Sequence, residues 1–435
     1  MWREACAFRR LMREAALPAD ARARLAEARL KAVLCQAYDR VPLHRRRMAA
    51  AGFDPRRDFR GPADLARLPL LTRAVLKETP VAELVRDGAA RRLGRYYADS
   101  SSGSTGAPLT VYRARNERAL QVAKWLRVLS HNGLRPWHRT LSLTASWRLR
   151  QGRSAVQRAG LYRRLALDYN RPMAELADLA VDYRPHLIYG NRSSLALLAE
   201  EFGRRGRGLP GLRLIVGGGE TIEQADRVLF VRVFGVPLTE TYGTVETGVL
   251  AYQRRTEPDL RLSDDLTWFE FLDDDDRPAA PGTPARIVVT ELAARLMPIL
   301  RYEVGDRVVF TETPGPLGPE RRIQRIFGRA DDIATLPSGA PLTWMQITLA
   351  MKRFAAIRRY RFRHAAPARF DVTIEAAADY FAAHEAAIGG ALAAMVAEPI
   401  RYDLRRVDRL EPDPGGKIRV LFRDFEDTAA PAGEA

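Results

Sequence analysis

The chain has 435 residues, of which 46% are hydrophobic, and its formal net charge is +17. This length and apolar content predict a folded protein with a large core and two or more domains, and exclude a disordered or fibrous one. Two cysteines, Cys6 and Cys35, provide neither a disulfide framework nor a metal-binding spacing. Apolar runs are too short for a membrane span, and the start of the chain does not resemble a secretory signal. We therefore expect a soluble, cytoplasmic protein.

Arginine supplies almost all of the positive charge, because only five of the 70 basic residues are lysines. The arginines spread over the whole chain and no nucleic-acid-binding motif is present, so nucleic acid is not an expected partner. One dense group could attract a phosphorylated partner or could simply form a solvated face. Its members are Arg148, Arg150, Arg153, Arg158, Arg163 and Arg164.

Residues 1–75 are expected to form a helical lead-in, since apolar residues recur there at helical spacing. Short apolar strands then alternate with helices, which predicts an α/β body around a largely parallel sheet. The expected elements are helix 116–131, strand 140–145, strand 187–189, helix 193–202, strand 212–216 and helix 222–234. From Trp268 to Val309 the pattern becomes that of β-structure, with its clearest strand at 286–289.

The composition changes near Gly328, where we place a domain boundary. An N-terminal domain is expected over 1–327 and a small α/β domain over 328–426. The predicted elements of the second domain are strands 360–364 and 370–375, helix 378–394, and strands 400–407 and 418–422. The tail, 427–435, is rich in Ala, Pro and Gly and is predicted to be disordered.

The most unusual stretch is the serine- and glycine-rich segment 100–108, which leads into an expected strand at 109–112. Small residues let the backbone curl so that successive N–H groups point at one centre, and the hydroxyls add further donors. Such a loop suits a polyphosphate, although a solvated linker has a similar composition. It is not a Walker loop, because the Gly-Lys-Ser/Thr ending is missing.

Two further motifs are expected at the carboxyl ends of strands, where α/β sheets bind ligands. The segment 217–220, Gly-Gly-Gly-Glu, could approach a flat ring or a phosphate, or could be a tight strand-to-helix turn. The segment 241–248 offers an aromatic ring on Tyr242, several hydroxyls, and a carboxylate on Glu246 that suits Mg²⁺. It could equally be a polar loop around a core tyrosine.

Three later motifs also permit two interpretations each. Asp306 could accept two hydrogen bonds from a ribose diol, or could be a turn residue. The segment 328–332 could be a hinge or a charged linker. Lys417 follows two glycines in a chain that almost always uses arginine, and its compact ammonium group differs physically from a guanidinium fork. A solvent-facing hairpin lysine is the alternative.

Taken together and in this order, the motifs resemble those of the adenylate-forming (acyl/aryl-CoA synthetase) superfamily. The resemblance is closest to the phenylacetate–CoA ligase family and its branch associated with capsule polysaccharide synthesis, and it spans about residues 25–424. It is carried by segments 101–108, 218–220, 242–246, 302–306, 328–332 and 416–417, with two further stretches at 37–42 and 183–190.

The resemblance implies an ATP site and assigns roles to individual residues. The β- and γ-phosphates would lie against Ser101, Ser102, Gly103, Ser104, Thr105 and Gly106. The adenine would lie between Gly218, Gly219 and Tyr242, the ribose at Asp306 and Arg329, and the ATP site would also include Glu220, Thr241 and Gly243. Thr244 would lie near the α-phosphate, Glu246 would bind Mg²⁺, Asp331 would be the hinge, and Lys417 would bridge the attacking carboxylate and the α-phosphate.

The function implied is an AMP-forming ligase that activates a carboxylic acid as an acyl- or aryl-adenylate. ATP, Mg²⁺ and CoA are the expected cofactors and co-substrate, with a carrier-protein thiol, an amine or a hydroxyl as other acceptors, and a homodimer as a further partner. Three positions depart from the family pattern, namely Ala107, Leu109 and Val245. The segment 251–255 lacks the Cys and His of relatives that bind zinc, so no zinc is expected. The alternative is a catalytically inactive nucleotide-binding or scaffold protein on the same fold.

Overall fold

The computed structural model describes residues 2–100, 109–144, 155–169, 171–220, 222, 224–255, 257–315, 318–329, 333–338, 340–351, 353–354, 356–411 and 420–424. The chain divides into two compact units, Met1–Phe327 and Gly328–Ala435. The predicted tail, 427–435, lies outside the described residues.

Helices dominate the start of the first unit. They are α1 (Trp2–Ala15), α2 (Ala19–Arg40), α3 (Pro42–Ala50), α4 (Pro55–Asp58), α5 (Arg73–Glu78) and α6 (Val81–Leu84), with short 3-10 helices at Pro62–Arg67 and Ala90–Arg95. Helix α2 buries one apolar stripe, because its core residues recur every three or four positions. These residues are Ala26, Leu30, Val33, Leu34 and Ala37. The stripe packs with Phe53, Leu65 and Leu300, so the helical lead-in is part of the core of this unit.

A hairpin follows the helices and frames the serine-rich segment. Strand β1 (Tyr97–Ser100) pairs antiparallel with β2 (Thr110–Arg113), and the Ser100 and Thr110 hydroxyls lie 2.9 Å apart where the strands meet the connecting loop. The loop residues 101–108 lie outside the described part of the chain.

A single mixed sheet of eleven strands forms the centre of the first unit as far as the structure describes it. Its strands are β3 (Thr140–Thr144), β4 (Arg164–Asp168), β5 (Leu187–Asn191), β6 (Leu214–Gly218), β7 (Leu238–Thr244), β8 (Gly248–Gln253), β9 (Leu260–Leu262), β10 (Thr267–Leu272), β11 (Pro284–Glu291), β12 (Tyr302–Thr313) and β13 (Glu320–Arg329). Their spatial order is β10-β11-β12-β13-β9-β8-β7-β6-β5-β3-β4.

The two ends of this sheet differ in strand direction. Strands β4, β3, β5, β6 and β7 are parallel, whereas the pairings of β7 with β8, β8 with β9, and β10 with β11 are antiparallel. Parallel strands need crossover helices, and the helices of this region are α7 (Arg115–His131), α8 (Ala155–Arg158), α9 (Met173–Tyr183), α10 (Arg192–Arg204) and α11 (Gln224–Phe234). The apolar side chains of α9, α10 and α11 cover the parallel strands, with Leu176, Phe202 and Phe230 almost fully buried.

The second unit is a small α/β domain with its own core. Its elements are β14 (Ile333–Thr335), β15 (Pro341–Thr343), α12 (Trp344–Met351), β16 (Arg359–Ala366), β17 (Arg369–Glu375), α13 (Ala378–Ala393), β18 (Arg401–Val407) and β19 (Leu421–Arg423). Four strands form a sheet in the order β18-β17-β16-β19, and β14 pairs with β15. Phe362, Phe370 and Ile374 are fully buried between this sheet and its helices.

The α/β fold class predicted from the sequence is confirmed. The expected helix 116–131 is found at Arg115–His131 and the expected strand 212–216 at Leu214–Gly218. The β-region expected from Trp268 to Val309 extends through β13, and β4 and α9 were not predicted. No helix in the described part of the chain is long and apolar enough to cross a bilayer.

Strand β7 carries a buried acid whose protonation links stability to pH. Burial raises the pKa of Glu240 to about 7. This effect outweighs the opposing effect of Arg227, whose Nη2 lies 2.9 Å from Glu240 Oε2. In an unfolded chain a Glu titrates near pH ~4.3, so between these values the folded state holds a proton that the unfolded state has released. Stability therefore falls as pH rises through this window.

The pH effect is testable with Glu240→Gln, which keeps a hydrogen-bonding group but cannot ionise. We expect the wild type to lose about 2 kcal/mol of stability between about pH 5 and about pH 7 relative to this variant, because only the wild type must ionise a buried acid. Thermal denaturation of both proteins across this range measures the difference. Equal pH dependence in the two proteins would contradict the assignment.

Candidate active site

The carboxyl ends of neighbouring parallel strands bring two of the predicted motifs together. Asn191 at the end of β5 lies opposite Gly218 of β6, and Gly218 lies opposite Thr241 of β7. This edge is where α/β sheets bind ligands. The segments 217–220 and 241–244, which are separate in sequence, therefore share one rim of the sheet.

Gly218 lies so close to β7 that a side chain would not fit. A Cβ at this position would lie 2.6 Å from Thr241 Oγ1 and 2.8 Å from the Thr241 carbonyl oxygen. The Thr241 hydroxyl is already engaged, since it donates to the Gly217 carbonyl oxygen at 3.1 Å. Gly219 has a φ of +76°, a conformation that favours glycine. The sequence motif is thus a tight, closely packed turn at this rim of the sheet, and its predicted adenine contact stays a prediction.

We expect Gly218→Ala to destabilise the protein by about 1–3 kcal/mol, because the backbone of β6 or β7 must move to admit a methyl group. ATP affinity should fall together with stability if the rim holds the adenine. Thermal denaturation and calorimetric titration with ATP measure the two effects. Gly94→Ala is the matched control, because a Cβ at Gly94 would meet nothing within 4 Å. Unchanged ATP affinity in a destabilised Gly218 variant would argue against an adenine site here.

Glu220, a predicted ATP-binding residue, has partners inside the protein. Its Oε2 accepts hydrogen bonds from the Ser193 backbone N–H at 2.8 Å and the Ser193 hydroxyl at 2.6 Å, and its Oε1 accepts from the Asn191 amide at 3.1 Å. A carboxylate is favoured beside the first turn of a helix such as α10. Glu220 therefore fixes the start of α10 beside the rim.

Tyr242 and Asp306 meet although many residues separate them in the chain. The Tyr242 hydroxyl donates to Asp306 Oδ2 at 2.7 Å. Tyr242 is only 8% exposed and packs in the core with Leu109 and Val111. Asp306 lies within strand β12, so the alternative that it is a turn residue is wrong. The structure therefore brings a third predicted motif into contact with the segment 241–248.

Glu246 lies in a turn that its neighbours close. The Thr247 N–H donates to Thr244 Oγ1 at 3.2 Å, and the two threonine hydroxyl oxygens lie 3.0 Å apart. Glu246 is 4% exposed, and its Oε1 accepts from Arg73 Nη1 at 2.6 Å. Its other oxygen, Oε2, has no hydrogen-bond partner among the described residues. One buried, arginine-paired carboxylate with a spare oxygen thus lies at the position predicted for the metal ligand.

This donor set fits Mg²⁺ that arrives with a nucleotide. Mg²⁺ in such sites takes one or two carboxylates together with phosphate oxygens and water, so a cage of several acids is not required. Within the described ranges, no group of three or more His, Cys, Asp or Glu residues is placed to hold a metal ion.

Arg113 connects the Glu246 turn to the hairpin that frames the serine-rich loop. One guanidinium nitrogen, Nη2, donates to the carbonyl oxygens of Val245 at 2.7 Å and Glu246 at 2.8 Å. The other, Nη1, donates to Asp99 Oδ2 of β1 at 2.9 Å. Arg113 is 6% exposed, so these contacts are made in a buried setting where they are strong. The turn that carries Glu246 is therefore anchored to the strand that precedes the serine-rich segment.

Several predicted site residues lie outside the described residues, so their positions stay predictions. They are Ser101, Ser102, Gly103, Ser104, Thr105, Gly106, Asp331 and Lys417, together with the departure at Ala107. Arg329 is the last residue of β13, and its predicted ribose contact is untested.

Three site residues were not predicted from the sequence, namely Arg73, Arg113 and Lys124. The two arginines are indistinguishable in sequence from the many others, and Arg73 lies in the helical lead-in, to which no function was assigned. Lys124 did carry a signal, because the chain uses lysine at only five positions. It is 1% exposed and lies behind the Glu246 turn.

Curated proteins similar to this chain include phenylacetate–coenzyme A ligases. The chain is 30% identical over 334 residues to the phenylacetate–coenzyme A ligase of Thermus thermophilus, covering 73% of this chain and 72% of that protein. It is 28% identical over 325 residues to the phenylacetate–coenzyme A ligase of Escherichia coli, covering 70% of each. No family model matches the chain.

A solved structure shares the fold over nearly the whole chain. This is 2-hydroxyisobutyryl-CoA ligase in the postadenylation state with R3-HIB-AMP, at a TM-score of 0.76 and 18% identity. The match covers 94% of this chain and 90% of that protein. At this identity the likeness supports the fold.

Proposed function

Because the chain belongs to the phenylacetate–coenzyme A ligase family of adenylate-forming enzymes, we propose that it activates a carboxylic acid with ATP and transfers the acyl group to coenzyme A. In the first step a carboxylate oxygen attacks the α-phosphorus of ATP, the bond to pyrophosphate breaks, and an acyl- or aryl-adenylate forms. In the second step a thiol sulfur attacks the acyl carbon, AMP leaves, and the thiol proton is released.

One observation supports this proposal most strongly. Arg113 ties the hairpin that frames the serine-rich loop to the carbonyl oxygens of Val245 and Glu246, while Tyr242 bonds to Asp306. These contacts thus join three separate parts of the chain around the segment 242–246. A structural linker or a random turn would not require this convergence.

The first step is difficult because the attacking carboxylate and the triphosphate are both anionic. We propose that the rim residues hold the nucleotide in place, with Gly218 and Gly219 at the adenine, Asp306 at the ribose and Thr244 near the α-phosphate. Lys417 would lie between the two anions, where a cation aligns them and stabilises the developing charge. Positioning and charge compensation are the main contributions a protein can make to such a transfer.

The proposal includes Mg²⁺ at Glu246, whose buried carboxylate keeps one oxygen without a partner in the described part of the chain. When bound there, Mg²⁺ neutralises charge on the departing pyrophosphate. The proposal also includes a hinge at Asp331 that lets residues 328–426 move. It further includes a cytoplasmic location, a homodimer, and a likeness to the capsule-associated branch of the family.

Product analysis tests the proposed reaction. The purified protein is incubated with ATP, Mg²⁺, CoA and a panel of aromatic, fatty and amino acids, and the nucleotides and thioesters are identified by mass spectrometry. We expect AMP, pyrophosphate and one acyl-CoA, with phenylacetate as the first acid to test. Formation of AMP and pyrophosphate without thioester would indicate another acceptor. ATP binding without any acid-dependent product would favour the inactive nucleotide-binding alternative.

A further inference from the structure

Lys124 is buried behind the Glu246 turn and has a complete set of partners. Its ammonium nitrogen lies 3.1 Å from Glu291 Oε1, 3.2 Å from Thr267 Oγ1 and 3.4 Å from the Thr247 carbonyl oxygen. An ammonium group has three donors, and three acceptors surround this one. The planar fork of arginine would not match that arrangement. The chain therefore keeps a lysine here although it uses arginine almost everywhere else.

The partners of Lys124 join a rigid element to the turn. Thr267 begins β10 and Glu291 ends β11, which are paired strands of the large sheet. Thr267 Oγ1 also donates to Glu291 Oε1 at 2.8 Å. This hydrogen bond holds two of the three acceptors in place independently of Lys124. The third acceptor, the Thr247 carbonyl oxygen, lies in the turn, because Thr247 directly follows Glu246.

A second side chain of helix α7, that of Gln121, contacts the same turn. Gln121 Nε2 lies 3.4 Å from the Thr247 carbonyl oxygen and 3.4 Å from Glu291 Oε2. Gly248 has a φ of +71°, and a Cβ there would overlap the Gln121 amide. Arg113 holds the Val245 and Glu246 carbonyls from the hairpin. Consecutive carbonyl groups of the turn are thus fixed by donors from two different elements.

We propose that Lys124 is a positioning residue for the metal-binding carboxylate. By holding the Thr247 carbonyl against Thr267 and Glu291, it fixes the turn so that Glu246 presents its oxygen in one orientation. The link from Glu246 to Mg²⁺ rests on the proposed function, whereas the effect of Lys124 on the turn does not. Groups that orient a metal ligand from behind commonly change metal affinity about 10- to 100-fold when removed.

The test uses Lys124→Met and a matched control, Arg127→Met. Arg127 lies on the same helix, is 3% exposed and pairs with Asp265, so its loss also leaves a buried acid without its partner. Its guanidinium donates to the Asp265 carboxylate, and it makes no hydrogen bond to the turn that carries Glu246 within the described residues. If Lys124→Met does not fold, Lys124→Met combined with Glu291→Gln leaves no unpaired buried carboxylate and removes the same contact.

Hydrogen–deuterium exchange measures the turn directly. We expect amides of residues 244–248 to exchange about tenfold faster in Lys124→Met, because a contact that restrains the turn is lost. In the second arm, calorimetric titration with ATP is repeated over a Mg²⁺ series. In Lys124→Met, the Mg²⁺ concentration that gives half of the maximal gain in ATP affinity should be about tenfold higher than in the wild type. ATP affinity measured in EDTA should stay within about twofold of the wild-type value.

The outcomes separate the inference from the proposed function. Arg127→Met should change neither the exchange of the turn nor the Mg²⁺ midpoint by more than about twofold, even if it lowers the melting temperature equally. Unchanged exchange in Lys124→Met, or equal effects in both variants, would overturn the role of Lys124. If the wild type binds no ATP, the proposed function fails, and the exchange result still decides whether Lys124 positions the turn.

Discussion

Replacing Lys417 with alanine is expected to lower carboxylate-dependent exchange between ATP and pyrophosphate about 10²- to 10³-fold. The proposed role of this ammonium group is to stand between two anions as the bond to the α-phosphorus forms, and loss of one charge-stabilising donor typically has an effect of this size. Because that interaction is strongest in the transition state, ATP affinity should change by less than about threefold.

Exchange of labelled pyrophosphate into ATP measures the first effect, and calorimetry measures the second. Lys352→Ala is the control, since Lys352 is the other lysine of residues 328–435. If Lys417→Ala weakened ATP binding as much as it slowed exchange, the lysine would be a nucleotide-binding residue. If neither quantity changed, the resemblance would have assigned the wrong residue.

Glu246→Gln is expected to have the second largest effect. Glutamine has almost the same shape and can still accept from Arg73, but it lacks the negative charge that a hard cation needs. We expect Mg²⁺ affinity to fall about 10- to 100-fold. The rate of ATP–pyrophosphate exchange at low Mg²⁺ concentration should fall with it. Raising the Mg²⁺ concentration should recover part of the rate.

The matched control is Glu270→Gln, which alters another arginine-paired carboxylate of the same sheet. Glu270 Oε1 accepts from Arg301 Nε at 3.1 Å, and its side chain is 14% exposed. Magnesium titrations of exchange activity compare the two variants at equal protein stability. A Glu246 variant with a normal Mg²⁺ midpoint would remove this residue from the metal site.

Local patterns in the sequence were sufficient to predict much of the parallel part of the fold, although not β4 or α9. Helix α7 and strand β6 follow apolar periodicities that short segments can display by themselves, and the turns after the strands carry small or polar residues. The order of the antiparallel strands was not predictable. Strand β9 lies between β13 and β8, and such non-local pairing leaves no mark on any one segment.

The candidate site also combines residues that local motifs reveal with residues that only the fold brings together. Glu246 and Tyr242 stand in motifs that are visible in the sequence, whereas Arg73 and Arg113 reach them from elsewhere in the chain. In a chain with this many arginines, no single arginine is conspicuous, and only the fold selects the two that matter. Lys124 is the exception, because lysine is rare in this chain and the fold places three acceptors around this one.

The account depends on one chemical claim, that a carboxylate attacks the α-phosphorus of ATP on this protein. Isotope exchange between pyrophosphate and ATP, measured in the absence of CoA with Mg²⁺ and a panel of carboxylic acids, tests it most directly. We predict that label enters ATP only when a suitable acid is present, with phenylacetate or a related aromatic acid as the expected first success. ATP that binds but never exchanges with any acid would contradict the claim.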